Sequence, residues 1–322
     1  MSLHRFVRSV AAVATAICTT STLAQEFPNR PLTIISDLSP GATPDIMMRT
    51  LAPHMQEILG QPIVVQNKPG ASGRIAFRYV ATEAPADGYT LLVANQNLAT
   101  AKGFMKDLEF DPVSDLPAIS VVASTPLLLS VNKQQPFHNF SDMISYAKSH
   151  PGKIFMGHGG LQTTHNLFLH AINQKYKTEI TGVPYKGGSP QMWLAVFANE
   201  TQMAMFTETA VQSNAAKVTP IAVTGDRRLV SFPDVPTFNE LQVPEVVGVQ
   251  YLLHVRKGTP PEVIQKLSKA ISAALQKDDV KKTLAKSGLT VVDGSPIEAQ
   301  RRHAELAKVF TEMAENSGIS AE

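Results

Sequence analysis

Short apolar runs rich in Val, Ile and Leu alternate with segments of helical periodicity along most of the chain. The apolar runs predict strands at Leu32 to Ser36, Ile63 to Gln66, Thr90 to Ala94, Ile119 to Ala123, Leu127 to Val131, Ile154 to Met156, Gly182 to Tyr185, Thr201 to Phe206, Thr219 to Val223 and Gln250 to Val255. The periodic segments predict helices at Asp45 to Leu59, Gly73 to Thr82, Phe140 to Ser149, Thr164 to Lys175, Pro190 to Ala198, Pro261 to Gln276, Asp279 to Lys286 and Pro296 to Asn316. This alternation indicates an α/β protein with largely parallel sheets.

The first 24 residues have a different pattern, which is typical of an export signal. Arg5 and Arg8 make a basic start, Val10 to Ile17 is a short apolar run, and Ala24 ends a stretch of small residues. We therefore expect cleavage after Ala24, a mature chain that begins at Gln25, and a periplasmic location. A buried core helix is the alternative. A membrane anchor is not expected, because the apolar run is far shorter than the roughly 20 residues that a bilayer span needs.

Loss of this leader restricts the chemistry of the mature chain. Cys18 is the only cysteine, so the mature protein is expected to have no disulfide, no thiolate nucleophile and no cysteine metal site. The full chain has 29 basic and 27 acidic side chains, and removal of Arg5 and Arg8 leaves equal numbers. A neutral chain is a poor candidate for binding nucleic acid, which needs a concentrated basic face.

Motifs for catalysis, metals and nucleotides are weak. Gly157 to Gly160 is not accompanied by a Gly-x-Ser-x-Gly nucleophile elbow, and His165 and His170 lack the spacing of a helical zinc pair. The Gly-rich Gly70 to Gly73 lacks the lysine of a phosphate-binding loop. No metal, cofactor or catalytic residue is therefore expected. The alternative is an exported hydrolase that uses Thr164, His165 and Glu208 in one cleft. Outside that alternative, we expect His165 to be a structural residue at the start of a helix.

One turn is a candidate for anion binding. Pro40-Gly41 turns the chain after the first predicted strand, and Asp45 lies at the start of the helix that follows. Ligands of open α/β sheets bind at the carboxyl ends of the strands, and a helix N-terminus favours an anion. A purely structural helix cap is the alternative interpretation of the same residues.

A set of short phrases occurs along the chain in a recognisable order. They are Phe27-Pro28-Asn29-Arg30-Pro31, Gly60-Gln61-Pro62-Ile63-Val64-Val65, Asn67-Lys68-Pro69-Gly70-Ala71-Ser72-Gly73, Ala86-Asp87-Gly88-Tyr89-Thr90-Leu91, Phe110-Asp111-Pro112-Val113, Val183-Pro184-Tyr185-Lys186-Gly187, Phe232-Pro233-Asp234-Val235-Pro236-Thr237 and Gly258-Thr259-Pro260. In this order the phrases resemble the exported solute-binding receptors of tripartite tricarboxylate transporters, often called Bug proteins.

The resemblance implies a two-lobed α/β fold of the periplasmic-binding (Venus flytrap) type, with a ligand cleft between the lobes. One lobe would comprise residues 25–124 and 250–322, and the other 125–249, with hinge crossings near Ser124 to Val131 and Gln250 to Lys257. The family captures a small organic carboxylate and presents it to a membrane permease, without catalysis or cofactor. We expect a mono- or dicarboxylate ligand, aliphatic or aromatic, and a monomeric receptor. A sensor that is not coupled to transport is an alternative with the same cleft.

The resemblance also implies which residues face the ligand. They are Pro40, Gly41, Ala42, Asn95 and Gln96 in the first lobe, and His158, Gly159, Thr163, Thr164, Tyr185, Phe206 and Thr207 in the second. The chain departs from the usual family pattern at Asp37-Leu38-Ser39, where Pro-Phe-Pro is common, and at His158 and Thr207. A cationic His158 would favour an anion. A neutral His158 that is bonded to backbone is the equal alternative, and contact of Lys186 with the ligand is likewise open.

Overall fold

The computed structural model describes residues 26–104, 107–160, 163–185, 189–225, 227–243 and 248–317. The predicted leader, with Cys18 and the cleavage site, lies outside the described residues, as does Lys186.

The described residues form eleven strands and ten α-helices. The strands are β1 (Leu32–Ser36), β2 (Ile63–Asn67), β3 (Thr90–Ala94), β4 (Ala118–Thr125), β5 (Leu127–Asn132), β6 (Phe155–His158), β7 (Thr181–Pro184), β8 (Met203–Thr207), β9 (Val218–Val223), β10 (Val249–His254) and β11 (Thr290–Gly294). The helices are α1 (Thr43–Leu59), α2 (Arg74–Arg78), α3 (Asn97–Phe104), α4 (Phe140–Ser149), α5 (Thr164–Tyr176), α6 (Ser189–Phe197), α7 (Glu208–Ser213), α8 (Pro261–Leu275), α9 (Asp278–Lys286) and α10 (Pro296–Ser317).

The strands form two sheets. The first has the order β11-β4-β10-β3-β1-β2 and the second the order β7-β6-β8-β5-β9. We call the first sheet, with the helices packed on it, the first lobe, and the second sheet with its helices the second lobe. The prediction of largely parallel sheets is wrong: β1 pairs in parallel with β2 and β3, and β6 with β7 and β8, but the other pairs are antiparallel. Each antiparallel pair contains β4, β5 or β10, the strands beside the two crossings between the lobes.

The first crossing between the lobes is short, and the described end of the return crossing lies against it. Only Pro126 separates β4 from β5, so the chain passes almost directly from one sheet to the other. The return crossing reaches β10 through Gly248, where an added Cβ would lie 2.3 Å from the backbone oxygen of Thr125. Backbone therefore lies close to backbone where the chain passes between the lobes.

Helices cover both faces of the first sheet. Met47, Met48, Leu51 and Met55 recur on one stripe of α1 and are fully buried, in the cluster that also contains residues of α8 and α9. Phe77 anchors the opposite face. Each such side chain contributes roughly 1.5–3 kcal/mol when fully buried, so this core stabilises the lobe without any disulfide.

The second sheet also has a core on each face. Phe137, Phe168 and Phe238 lie in the larger cluster, and Phe206 lies in the smaller one on the other face. Phe310 of α10 belongs to the larger cluster. Helix α10 also packs on α3 and β4 of the first lobe. The C-terminal helix therefore contacts both lobes, and the residue limits proposed for the lobes remain a prediction.

The sequence pattern predicts most of these elements. The predicted strands and helices are present, with their bounds displaced by about two residues or fewer. The helix predicted from Gly73 to Thr82 is found as α2 followed by a π-helical turn at Tyr79–Glu83. The pattern does not predict β11, α3 or α7, because α3 and α7 are short and β11 is a half-buried edge strand. No helix among the described residues is both long enough and apolar enough to cross a membrane.

Candidate functional site

A cavity of about 260 Å³ lies between the two lobes. Its polar lining consists of Thr43, Asn95, Thr125, His165, Ser189, Thr207 and Ser287. Its apolar lining consists of Leu127, Trp193, Met205, Phe206, Ala210, Val249, Tyr251 and Leu289. These residues come from both lobes and from both sides of the crossing at Pro126, so the cavity occupies the cleft that the resemblance implies.

The described lining of this cavity includes residues at the starts of three helices. None of the described lining residues is Lys or Arg. Thr43 begins α1, Ser189 begins α6, and His165 lies in the first turn of α5. The first N–H groups of a helix have no partner within the helix and carry a partial positive charge. The cavity can therefore hold an anion through neutral donors.

The β1–α1 loop uses two of its N–H groups internally. The Gly41 N–H donates to the Asp45 carboxylate at 2.9 Å, and the Ala42 N–H donates to the Ser39 carbonyl at 3.1 Å. The hydrogen bond from Arg49 holds the pKa of Asp45 below its usual value. The predicted residues Pro40, Gly41 and Ala42 thus lie just before the lining. Thr43, the first residue of α1 after this loop, lines the cavity.

Gln96 and Thr164 meet across the cleft, one from each lobe. The Gln96 side-chain amide donates to the Thr164 hydroxyl at 3.4 Å and accepts from the Gln250 N–H at 3.3 Å. All three residues are buried. Thr163, not Thr164, is the N-cap of α5, and its hydroxyl donates to the Gly160 carbonyl at 2.7 Å. The Thr164 hydroxyl therefore links the lobes beside the cavity and does not cap its helix.

His158 is buried behind the cavity. Its Nδ1 lies 2.9 Å from the Gly160 carbonyl oxygen and 3.1 Å from the Gly160 nitrogen. A Cβ added to Gly182 would lie 2.9 Å from its Nε2, so the ring fills the space beside that glycine. Burial lowers the pKa of His158. This geometry fits the interpretation of His158 as a neutral, backbone-bonded histidine, with Gly159 half-buried next to it.

His165 lines the cavity, although its position in the sequence suggested a structural role. Its Nδ1 is buried and has no hydrogen-bond partner among the described residues. Burial, with a smaller contribution from His158, lowers the pKa of His165 to about 4, so the ring is neutral at neutral pH. A neutral imidazole offers the cavity one donor or one acceptor at this nitrogen.

The hydrolase alternative would need hydrogen bonds that join the Thr164 hydroxyl, the His165 ring and the Glu208 carboxylate. Glu208 instead accepts from Ser231 and from Gln212, the latter at 3.4 Å. The Thr164 hydroxyl is bonded to Gln96, and the His165 Nδ1 has no partner among the described residues. These three groups therefore do not form a relay in this structure.

An aromatic wall forms one side of the cavity. Phe206 stacks on Trp193 with ring centroids 3.5 Å apart and planes 9° apart. Tyr251 and Thr43 both lie in the wall of the first lobe. Tyr185 is half-buried and packs beside this aromatic cluster, outside the lining. The wall suits the hydrocarbon or aromatic part of a small molecule.

The structure thus places Asn95, Phe206 and Thr207 of the predicted set on the cavity, with Gln96 and Thr164 beside it. Sequence reasoning missed Thr43, Ser189 and Ser287. Ser189 precedes Pro190 at a helix start, which is a recognisable signal. Ser287 follows α9, far along the chain, and only the tertiary fold brings it to the cleft. Among the described residues, no group of His, Cys, Asp and Glu could hold a metal ion.

Comparison with known proteins supports this picture. Residues 47–318 match the family model described as "Tripartite tricarboxylate transporter family receptor". The chain is 32% identical to the protein BugT of Bordetella pertussis over 291 residues, which covers 88% of each chain. The structure of Rpa4515 from R. palustris with adipate is similar at a TM-score of 0.77 and 30% identity, covering 92% of this chain and all of that one. The structure of MatC from Rhodopseudomonas palustris, with bound malate, is similar at a TM-score of 0.75 and 28% sequence identity, covering 89% of this chain and all of that one.

Proposed function

Because the chain belongs to the tripartite tricarboxylate transporter receptor family, with the two-lobed fold of periplasmic solute-binding proteins, we propose that it captures a small organic carboxylate in the cavity between its lobes. It delivers this ligand to the membrane permease subunits of a tripartite tricarboxylate transporter. It acts in the periplasm as a monomer, after cleavage behind Ala24, and needs no cofactor.

One observation carries the proposal: the described lining of the cavity contains helix starts and hydroxyls, which are neutral hydrogen-bond donors. Thr43 and Ser189 contribute both a hydroxyl and the N-terminal end of a helix, and Asn95 contributes an amide. Such neutral donors stabilise a carboxylate without the cost of burying an unpaired cation. The adipate and malate in the two similar structures support this ligand class.

The cavity size and its aromatic wall limit the ligand. A volume of about 260 Å³ suits a small acid. The stacked pair Trp193 and Phe206 can cover an alkyl chain or an aromatic ring, so both aliphatic and aromatic mono- or dicarboxylates fit the proposal. In the first lobe, the predicted residues Pro40, Gly41 and Ala42 would join the site if their loop moved when the lobes close around Pro126 and Gly248.

A thermal-shift panel of organic acids tests the proposal. A ligand present at 100 times its Kd should add about 2.7 kcal/mol to the stability of the protein, a shift of about 4 °C for a chain of this size. Thr43→Val should reduce the shift, because it removes a cavity hydroxyl. Thr50→Val is the matched control on the outer side of the same helix, where the hydroxyl donates to the Ile46 carbonyl, and should retain the shift.

Two outcomes would contradict the proposal. A panel in which no mono-, di- or tricarboxylate shifts the melting temperature would refute carboxylate capture. Turnover of an ester or amide by the purified protein, abolished by His165→Ala, would favour the hydrolase alternative. Loss of acid uptake on deletion of the gene, restored by the wild-type protein, would separate transport from a purely sensory role.

A further inference from the structure

Asp37 is a buried carboxyl group that the binding site described above does not use. It follows the last residue of β1 and is 2% exposed. Neither of its carboxylate oxygens has a hydrogen-bond partner on another described residue. Buried carboxylates are normally paired or fully hydrogen-bonded, so this group has an unusual environment.

Asp37 lies directly behind the cavity wall of the first lobe. A Cβ added to Gly73 would lie 3.0 Å from its Oδ2, so the carboxyl fills the space that this glycine leaves. On its other side, the charge of Asp37 contributes to the raised pKa of Tyr251, after the larger effect of burial. Ser36, the residue before Asp37, pairs with Val93 of β3, two residues before Asn95. Asn95, Thr43 and Tyr251 all line the cavity. Asp37 therefore lies at the edge of the first sheet that forms this wall.

Among the described residues, the cations on α1 and on the segment after β2 that are named here contact other groups. On α1, Asp45 is paired with Arg49 at 3.0 Å. On the segment that follows β2, the Lys68 ammonium lies 4.3 Å from the ring centroid of Tyr79, and the Arg74 guanidinium donates to the Asp107 carbonyl.

The other strand paired with β1 is β3, and none of its residues, Thr90–Ala94, is titratable. On β10, beyond β3, the titratable group on which the charge of Asp37 acts is the Tyr251 phenol. Burial raises the pKa of Asp37 to about 7. The carboxyl can therefore change its charge within the ordinary pH range.

We propose that Asp37 couples ligand binding to a proton, so that a carboxylate anion is bound together with uptake of a proton by Asp37. An ionised Asp37 would repel a second negative charge in the cavity, and its burial means that the repulsion is screened less than it would be in bulk water. Protonation removes the repulsion. The inference rests on the proposed function, because it needs an anionic ligand in the cavity.

Calorimetric titration between pH 6.0 and 8.5 tests the inference, with succinate, adipate, malate and benzoate as probes. Wild-type affinity should fall by about tenfold per pH unit above the pKa of Asp37, until the coupling is exhausted. Titrations at pH 8 in two buffers of different ionisation enthalpy should show proton uptake on binding. Asp37→Asn, which keeps the size of the side chain, should bind with no such pH trend and at least as tightly as wild type at pH 8.5. Asp234→Asn, an exposed control on the second lobe, should behave as wild type.

The outcomes separate this inference from the proposed function. Binding of a probe whose affinity is constant from pH 6.0 to 8.5, without proton uptake, would overturn the role of Asp37 and leave carboxylate capture intact. Weaker binding by Asp37→Asn at every pH would also overturn it, because the carboxylate would then be a direct acceptor from the ligand. If Asp37→Asn fails to fold, the wild-type pH series and the two-buffer measurement still decide. Failure of every acid to bind at pH 6.0 would refute the proposed function itself.

Discussion

Replacing Asp37 with Asn should stabilise the ligand-free protein more strongly as the pH rises. The substitution keeps the size and shape of the side chain and removes its charge. Asp37 is almost fully buried and its carboxylate has no partner on another described residue, so ionisation of the wild-type group must be paid for with folding free energy. An amide in the same place has no such cost.

The magnitude follows from the pKa of this group. Burial raises the pKa of Asp37 from 3.8 to about 7. Because the folded pKa is above the unfolded value, the proton stabilises the folded state fully below about pH 4, and this contribution is lost as the pH rises through about 7. A shift of about 3 units corresponds to about 4 kcal/mol in total. About 2.5 kcal/mol of this change falls between pH 5 and pH 8.

Urea unfolding of both proteins at pH 5, 6, 7 and 8 measures the effect. The difference between the two unfolding free energies is the informative quantity, because titration of the other groups is common to both proteins and cancels. Equal slopes against urea in both proteins justify the comparison. We expect the variant to gain about 2.5 kcal/mol relative to wild type from pH 5 to pH 8. A difference that does not vary with pH would refute the claim that Asp37 titrates in this range.

Three further predictions concern the site, the hinge and the buried histidines. Thr164→Ala removes the hydroxyl that accepts from Gln96, so it should lower the free energy of unfolding in urea by about 0.5–1.5 kcal/mol. It should also weaken acid binding at every pH. An unchanged affinity would exclude this residue from the site. Gly248→Ala should lower the free energy of unfolding by about 1–3 kcal/mol, because the new Cβ would lie 2.3 Å from the Thr125 carbonyl oxygen. A variant as stable as wild type would contradict this prediction and show that the backbone there can relax. Burial holds the pKa of His254 well below its usual value. The contribution of this neutral ring to the free energy of unfolding is therefore complete above about pH 6.5 and is lost as the pH falls. An NMR titration should find the ring neutral at about pH 6.

The strands and helices were predictable because their cores repeat with a regular period. Met47, Leu51 and Met55 recur at helical spacing and are buried as that spacing requires. The sheet directions were not predictable from such patterns. A buried strand such as β10 looks the same whether its neighbours are parallel or antiparallel, and only the two crossings between the lobes determine its direction.

The site was predictable where the resemblance marked a residue at the end of a strand, as for Asn95 and Thr207. His165 was read as structural because a lone histidine at a helix start carries no signal of where its ring points. Ser287 reaches the cavity from a distant turn, which no local pattern indicates. Asp37 was visible as a departure from the family pattern, but its burial and lack of a partner depend on how Gly73 and Tyr251 pack around it.

The central claim is that the cavity holds a carboxylate through neutral donors, and one calorimetric comparison tests it most directly. The acid that binds best in the panel and its primary amide should be titrated into the same protein at pH 6, where the acid is ionised and the amide is neutral. The helix starts and hydroxyls around the cavity favour a negative charge, so the acid should bind at least about tenfold more tightly than the amide. Equal affinities for the acid and the amide would contradict this account of the site.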